Sequence, residues 1–131
     1  MASAKRPNAE RRPRRLLFVE DDDLVAAGVT SLLEMEGFTV QTLGQGLAVV
    51  DAIKTFEPDA VILDVTLPDI SGVEVFRSVR RRWPDLPVLF STGYGTDSGP
   101  AAELKGNAVE ILQKPYEIAD LLSALRRLAG S

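Results

Sequence analysis

The sequence predicts a doubly wound α/β fold in which five strand–helix units surround a parallel sheet. Five short apolar runs are typical of buried strands, at 16–19, 38–42, 60–63, 88–90 and 109–112. The first, third and fourth are almost continuously apolar, as is expected of strands covered on both faces. Helical patterns separate these runs, and such alternation is typical of parallel strands joined by right-handed crossovers. A chain of 131 residues with 45% hydrophobic and 26% charged residues suits one domain of this kind.

Apolar residues that recur on one face mark the helices. The first helix is predicted from such a face, which Gly37 ends, with the members Leu24, Val25, Val29, Leu32 and Leu33. Three more helices are predicted in the same way. Their apolar faces are formed by Leu47, Val50 and Ile53, by Val73, Phe76 and Val79, and by Ile118, Leu121, Leu122, Leu125 and Leu128. Ser71 is the predicted N-cap of the second of these helices. Between the fourth and fifth strands, residues 93–108 contain four glycines and Pro100, so the fourth helix is expected to be short or mobile.

The composition excludes several kinds of site. The chain has no cysteine and no histidine, so disulfides, thiolate or histidine metal sites and histidine-based catalysis within the chain are excluded. No apolar run is long enough to span a bilayer and no apolar segment follows the basic N-terminus, so we expect a cytoplasmic protein.

The N-terminus differs in charge from the rest of the chain. Residues 1–15 carry six basic side chains and one acidic one, whereas the whole chain has a net charge of −4. Because this segment has little apolar material to bury, residues 1–14 are expected to be a disordered basic arm and residues 15–131 the folded domain. We do not expect the arm to bind DNA.

Polar residues gather where the predicted strands end. Glu20 and Asp21 follow the first strand, Asp64 the third, Thr92 the fourth and Lys114 the fifth. Open parallel sheets bind ligands in the crevice outside these carboxyl ends. In the common strand order 2-1-3-4-5, the crevice lies between strands one and three, so the acidic residues would face one another.

These residue types suit phosphoryl transfer. Three carboxylates in one crevice need a counter-charge, and magnesium supplies it with oxygen ligands and water. Lys114 adds a second positive charge and Thr92 a hydroxyl donor. Asp64 stands alone at its strand end and is the candidate nucleophile, whereas Glu20 and Asp21 are candidate metal ligands.

Charged residues outside the crevice have simpler interpretations. Asp22 and Asp23 are assigned only to capping the first helix and favouring its dipole. A basic group is assigned to the solvated face of the third helix, and its members are Arg77, Arg80, Arg81 and Arg82.

Four motifs occur in a characteristic order on the predicted strands. They are LFVEDD at 17–22, VILDVTLPDISG at 61–72, VLFSTGY at 88–94 and QKPY at 113–116. With them the chain resembles, over roughly 15–128, the receiver domain of two-component response regulators. The resemblance implies a flavodoxin-like (βα)5 sandwich like that of the chemotaxis regulators, with strand order 2-1-3-4-5.

The resemblance also implies the chemistry. Asp64 would be the phosphoacceptor, receiving the phosphoryl group from a histidine kinase or a histidine phosphotransfer protein. Mg²⁺ would be held by Asp21, Asp64 and the backbone carbonyl of Thr66, with Glu20 acting through water. Such a domain is a signalling switch rather than an enzyme, and a downstream protein partner would read its state.

Further implied features concern the switch. Thr92 and Lys114 would contact the phosphoryl group, and the bond from Lys114 to Pro115 would be cis. The family usually has an aromatic residue where this chain has Ile111, which is stiff and has no hydroxyl, so the common threonine–aromatic relay is not expected. Candidate members of a partner surface are Leu104, Val109 and Glu117. The chain ends after the fifth predicted helix, so no output domain is expected in it.

Three alternatives remain open at this point. A pseudo-receiver adaptor that is never phosphorylated is kept open by Ile111 and the poorly formed fourth helix. A small aspartyl-phosphate phosphohydrolase would need an acid two residues after its nucleophile, where this chain has Thr66. A flavodoxin-like nucleotide or flavin binder would need a phosphate-binding loop after the first strand, but that loop is acidic here.

Overall fold

The computed structural model describes residues 14–93 and 108–129. They form five strands and four helices: β1 Arg15–Val19, α1 Asp23–Met35, β2 Thr39–Leu43, α2 Val49–Phe56, β3 Ala60–Asp64, α3 Gly72–Arg82, β4 Val88–Thr92, β5 Val109–Gln113 and α4 Ile118–Ala129. A 3₁₀ turn at Gly46–Ala48 leads into α2. Among the described helices, none combines the length and the apolar character that crossing a bilayer requires.

Two predictions concern parts of the chain outside the described residues. These are the basic arm, of which only Arg14 is described, and most of the segment between β4 and β5 where a short fourth helix is expected. The helix α4 is therefore the fifth helix of the sequence-based prediction.

The strands form one parallel sheet in the order β2-β1-β3-β4-β5, which confirms the predicted doubly wound fold. Successive residues of a strand point to opposite faces, so Leu17 and Val19 enter one apolar cluster and Leu16 and Phe18 another. The first cluster lies under α2 and α3, and the second under α1 and α4. Burial on both faces explains why the central strands have nearly continuous apolar sequences.

Local sequence signals set the starts of α1 and α3 as predicted. The carboxylate of Asp22 accepts hydrogen bonds from the backbone N–H groups of Leu24 and Val25 at 3.0 and 3.1 Å. The hydroxyl of Ser71 accepts one from Val73 at 3.1 Å. Both side chains satisfy N–H groups that the first turn of a helix leaves without partners.

The buried residues of α1 and of the turn before α2 differ from the prediction. Leu33 is fully buried, but Leu24 is 86% and Leu32 43% exposed, and Ala26 occupies a buried position instead. Leu47 was assigned to the buried face of the second helix, yet it lies in the 3₁₀ turn and is 70% exposed. Adjacent apolar residues leave the inward face ambiguous, and packing on the sheet decides which of them is buried.

Arg80 is not part of a solvated face, contrary to the prediction. Its Nη1 donates hydrogen bonds to the carbonyl oxygens of Trp83, Pro84 and Leu86 at 3.0, 3.0 and 2.7 Å. Its guanidinium carbon lies 5.0 Å from the centre of the Phe76 ring. Arg80 therefore fastens the end of α3 to the segment that enters β4, and the other three arginines of the predicted group are exposed.

Arg80→Met is expected to lower the free energy of unfolding by about 1–2 kcal/mol, because three carbonyl groups lose a charged donor. Urea denaturation measures this change. The control is Arg82→Met, an exposed position in the same turn, where a change within about 0.5 kcal/mol is expected. Equal losses in the two variants would contradict a structural role for Arg80.

Candidate functional site

Backbone pairing brings the ends of three strands together at one edge of the sheet. The N–H of Glu20 donates to the carbonyl of Leu43 at 2.9 Å, which extends the β1–β2 ladder by one residue. Asp64 is the last residue of β3, and the N–H of Lys114 donates to the carbonyl of Thr92 at 2.7 Å. Because all strands are parallel, the side chains of Glu20, Asp64 and Lys114 meet in the crevice at the carboxyl edge.

Lys114 bridges two buried carboxylates. Its Nζ lies 2.7 Å from Asp64 Oδ2 and 3.2 Å from Glu20 Oε1. Asp64 and Glu20 are only 5% and 4% exposed. Burial disfavours the charge on Lys114, but hydrogen bonds and attraction from Asp64 and Glu20 outweigh it and raise the pKa of this lysine. Lys114 is therefore charged at neutral pH and partly neutralises the crevice.

Backbone donors hold the remaining oxygens of these carboxylates. The N–H of Thr66 donates to Asp64 Oδ1 at 3.0 Å, and the N–H of Asp22 donates to Glu20 Oε2 at 3.2 Å. Each of the four carboxylate oxygens thus has one donor. A carboxylate oxygen has two lone pairs, so these bonds fix both side chains and still leave capacity for another ligand.

The third acid completes a group that suits a cation. Carboxylate oxygens of Glu20, Asp21 and Asp64 lie within 4.8 Å of one another, and Asp21 is the exposed member. With Lys114, the group carries a formal charge of −2. All-oxygen donors beside solvent are the chemistry that Mg²⁺ prefers. The residues therefore fit the predicted ion, and the role of the Thr66 carbonyl stays a prediction.

The other predicted residues occupy varied environments. Thr92 is 1% exposed at the end of β4, and the Lys114–Pro115 bond is cis. Ile111 pairs in register with Phe90 and packs against the cluster under α2 and α3. Among the partner-surface candidates, Val109 is half-buried, Glu117 is exposed and Leu104 lies outside the described residues. Their roles stay predictions.

Two residues at this edge were not singled out from the sequence. A Cβ atom on Gly72 would lie 2.2 Å from the carbonyl oxygen of Asp64, so only glycine fits there. Asp69 accepts hydrogen bonds from the backbone N–H groups of Gly46 and Leu47. The glycine directly after Ser71 was a usable signal, whereas nothing local connects Asp69 to a partner more than 20 residues away.

Lys114→Met is expected to destabilise the metal-free protein by about 3 kcal/mol, because two buried carboxylates lose their cation. Added Mg²⁺ should then raise the melting temperature of the variant more than that of the wild type. Thermal unfolding with Mg²⁺ and with a chelator measures both effects. Lys54→Met, an exposed position on α2, is the control and should behave as the wild type. If Mg²⁺ raised the melting temperatures of Lys114→Met and the wild type equally, the ion and Lys114 would not share the same carboxylates.

Comparison with known proteins agrees with this fold. The family model described as the response regulator receiver domain matches residues 16–126. The response regulator MprA of Mycobacterium sp. (strain KMS) is 36% identical over 116 residues, which are 88% of this chain and 50% of MprA. A crystal structure of a putative response regulator from Chloroflexus aurantiacus shares 31% identity with a TM-score of 0.80, over 92% of this chain and 100% of that one.

A second solved structure shares the fold at lower identity. It is the receiver domain of a sensor histidine kinase from Pseudomonas aeruginosa PAO1, with a magnesium ion coordinated in its active-site cleft. It is 24% identical with a TM-score of 0.79, over 90% of this chain and 98% of that one.

The chain belongs to the response regulator receiver domain family of two-component signalling. Three observations support this assignment, namely the family match, the strand order and the acidic crevice. The chain spans about half the length of the curated relatives it matches.

Proposed function

We propose that this domain accepts a phosphoryl group on Asp64 in a Mg²⁺-dependent reaction and thereby switches its conformation or its partner. The observation that carries the proposal is the arrangement of Asp64, which Lys114 holds at one oxygen and the Thr66 N–H at the other. A carboxylate fixed at a strand end beside two further acids suits in-line attack on phosphorus.

In the proposed reaction, an oxygen of Asp64 attacks the phosphorus of a phosphohistidine on a kinase or phosphotransfer protein. The bond between phosphorus and the histidine nitrogen breaks, an acyl phosphate forms on Asp64, and the departing imidazole can take up a proton. Bound Mg²⁺ would neutralise charge on the phosphoryl oxygens, as the ion does in phosphoryl transfer generally. Asp21, Asp64 and the Thr66 carbonyl would hold it, with Glu20 acting through water.

Lys114 and Thr92 have supporting roles in this proposal. Lys114 releases part of its contact with Asp64 and pairs with the new phosphoryl group, because its ammonium already lies 2.7 Å from the acceptor carboxylate. Thr92 offers a hydroxyl from the end of β4, beside the backbone of Lys114. The Mg²⁺ bound in the Pseudomonas aeruginosa receiver is consistent with the metal part of the proposal.

Ile111 keeps one competing function open, a pseudo-receiver that binds partners without being phosphorylated. It lies in β5 where the family's common relay uses an aromatic ring, and it is partly buried against the core cluster that contains Phe90. Because isoleucine cannot make the aromatic hydroxyl contacts of that relay, this position bears on how a signal is transmitted and leaves the acceptor chemistry intact.

Intact mass spectrometry after incubation with acetyl phosphate or a phosphohistidine donor tests the proposal. With Mg²⁺ the protein should gain one phosphoryl group, which hydroxylamine removes, and with a chelator it should gain none. If neither donor modified the protein and beryllofluoride left its melting temperature unchanged, the pseudo-receiver would replace the phosphorylated switch. An adduct that formed equally well with chelator would overturn the magnesium requirement.

A further inference from the structure

The helix α2 begins without a cap of its own. Gln45 has the extended backbone of an N-cap residue but makes no side-chain bond to the 3₁₀ turn, and Ala48 makes none to α2. The cap comes from the β3–α3 loop instead. Asp69 Oδ1 accepts from the N–H of Gly46 and Oδ2 from that of Leu47, each at 2.9 Å. A distant carboxylate thus satisfies N–H groups of the 3₁₀ turn that leads into α2.

The charge of Asp69 suits this position. The bond from the Leu47 N–H, opposed by slight desolvation and aided by the Gly46 N–H, holds the pKa of the Asp69 carboxyl below its usual value. Asp69 is therefore ionised at neutral pH, and an anion is favoured at the start of a helix.

Apolar packing reinforces the same contact. A Cβ atom on Gly46 would lie 2.5 Å from Ile70 Cγ2 and 2.8 Å from Val75 Cγ2, so the turn is pressed directly against the residues that follow Asp69. The loop is consequently held to the start of α2 by a polar contact at Asp69 and an apolar one at Ile70.

The other end of this loop is fixed beside the acceptor. The N–H of Gly72 donates to the carbonyl of Val65 at 2.8 Å, which closes the loop 65–71 at its base. The N–H of Thr66 donates to Asp64 Oδ1 at 3.0 Å. Thr66 therefore lies in a loop that is anchored at its base and, through Asp69, at its outer end.

We propose that Asp69 is a positioning residue for the cation site, because it tethers the loop 65–71 to the start of α2 and so fixes the backbone of Thr66 against Asp64. The inference rests on the proposed function and names a residue that the function does not otherwise use. A loop that is already ordered loses little conformational entropy when the ion binds. The tether should therefore raise the affinity of the site for the cation.

The experiment separates tethering from helix capping. Isothermal titration of the unphosphorylated protein gives the Mg²⁺ affinity, and thermal unfolding gives stability. Asp69→Ala should bind Mg²⁺ about tenfold more weakly than the wild type, as is typical when an outer contact of a metal site is lost. The double variant Gln45→Ser/Asp69→Ala supplies a local cap, so it should recover stability while its Mg²⁺ affinity stays low. Recovery of both would show that Asp69 is only a helix cap, and would overturn the proposal.

Asp69→Asn controls for the charge itself. Asparagine is an equally good cap and keeps one acceptor oxygen, so its Mg²⁺ affinity should lie between those of the wild type and Asp69→Ala. Suppose Asp69→Asn bound Mg²⁺ as weakly as Asp69→Ala while hydrogen exchange showed the Gly46 amide still protected. Long-range attraction would then explain the effect and the tether would be rejected. A wild type that bound no Mg²⁺ would overturn the metal part of the proposed function as well, whereas equal binding by wild type and Asp69→Ala would overturn only this inference.

Discussion

Asp64→Asn is expected to abolish the Mg²⁺-dependent phosphoryl adduct while the fold is kept. The amide oxygen is a far weaker nucleophile than a carboxylate and cannot form the acyl phosphate. Asparagine has nearly the same size and retains an oxygen that can accept from the Thr66 N–H or from Lys114. Intact mass after incubation with donor and Mg²⁺ measures the loss, and thermal unfolding checks the fold.

The matched control is Asp51→Asn, an exposed aspartate on α2 that does not belong to the acidic group of the crevice. It should be phosphorylated to the same extent as the wild type. An adduct of undiminished yield on folded Asp64→Asn would show that another residue is the acceptor. Loss of the adduct in both variants would point to a general effect of charge and would contradict the assignment of Asp64.

Gly72→Ala is expected to lower the free energy of unfolding by at least about 3 kcal/mol, at the upper end of what overpacking costs. Its Cβ would lie 2.2 Å from the carbonyl oxygen of Asp64 and 2.8 Å from the Cα of Val65. Both are backbone atoms at the acceptor, so relief of the clash must shift the start of α3 relative to the backbone of Asp64. Misplacement of a reacting group by about 1 Å can slow a reaction roughly 100-fold, and we expect phosphorylation of the folded fraction to slow accordingly.

Gly28→Ala is the control for this substitution. Gly28 lies inside α1, and a Cβ added there would meet no other atom within 4 Å. Alanine should therefore stabilise the helix by about 1 kcal/mol, with no change in the rate of phosphorylation. Urea denaturation and time-resolved intact mass measure both variants. Similar stability for the two variants would contradict the close approach of Gly72 to the acceptor strand.

Much of the site was predictable because strand ends are short-range features. An apolar run followed at once by Glu20 and Asp21, or by Asp64, places acids at the carboxyl edge of any parallel sheet. The sequence could not show which oxygen meets which donor. That Lys114 contacts both Asp64 and Glu20 depends on strand order and on residues 50 and 94 positions apart.

The helices show where sequence patterns become ambiguous. Asp22 and Ser71 were predicted to cap their helices and do so, because a cap acts on N–H groups two or three residues away. The inward face of α1 was partly mispredicted, because an exposed Leu24 and a buried Leu33 are equally apolar. Arg80 was assigned to solvent, since nothing local indicates the carbonyl groups that it reaches.

The sequence by itself therefore determined the succession of the described strands and helices, the parallel sheet, the starts of α1 and α3 and the residues of the acidic crevice. Periodicity, capping and strand-end chemistry depend on residues that are a few positions apart, so each can be recognised in a short stretch of sequence. The tertiary structure alone decided which helix faces are buried, why only glycine fits at Gly72, and how Asp69 caps a 3₁₀ turn more than 20 residues away. Those features depend on packing between distant segments, whose free energy belongs to the pair and cannot be read from either segment alone.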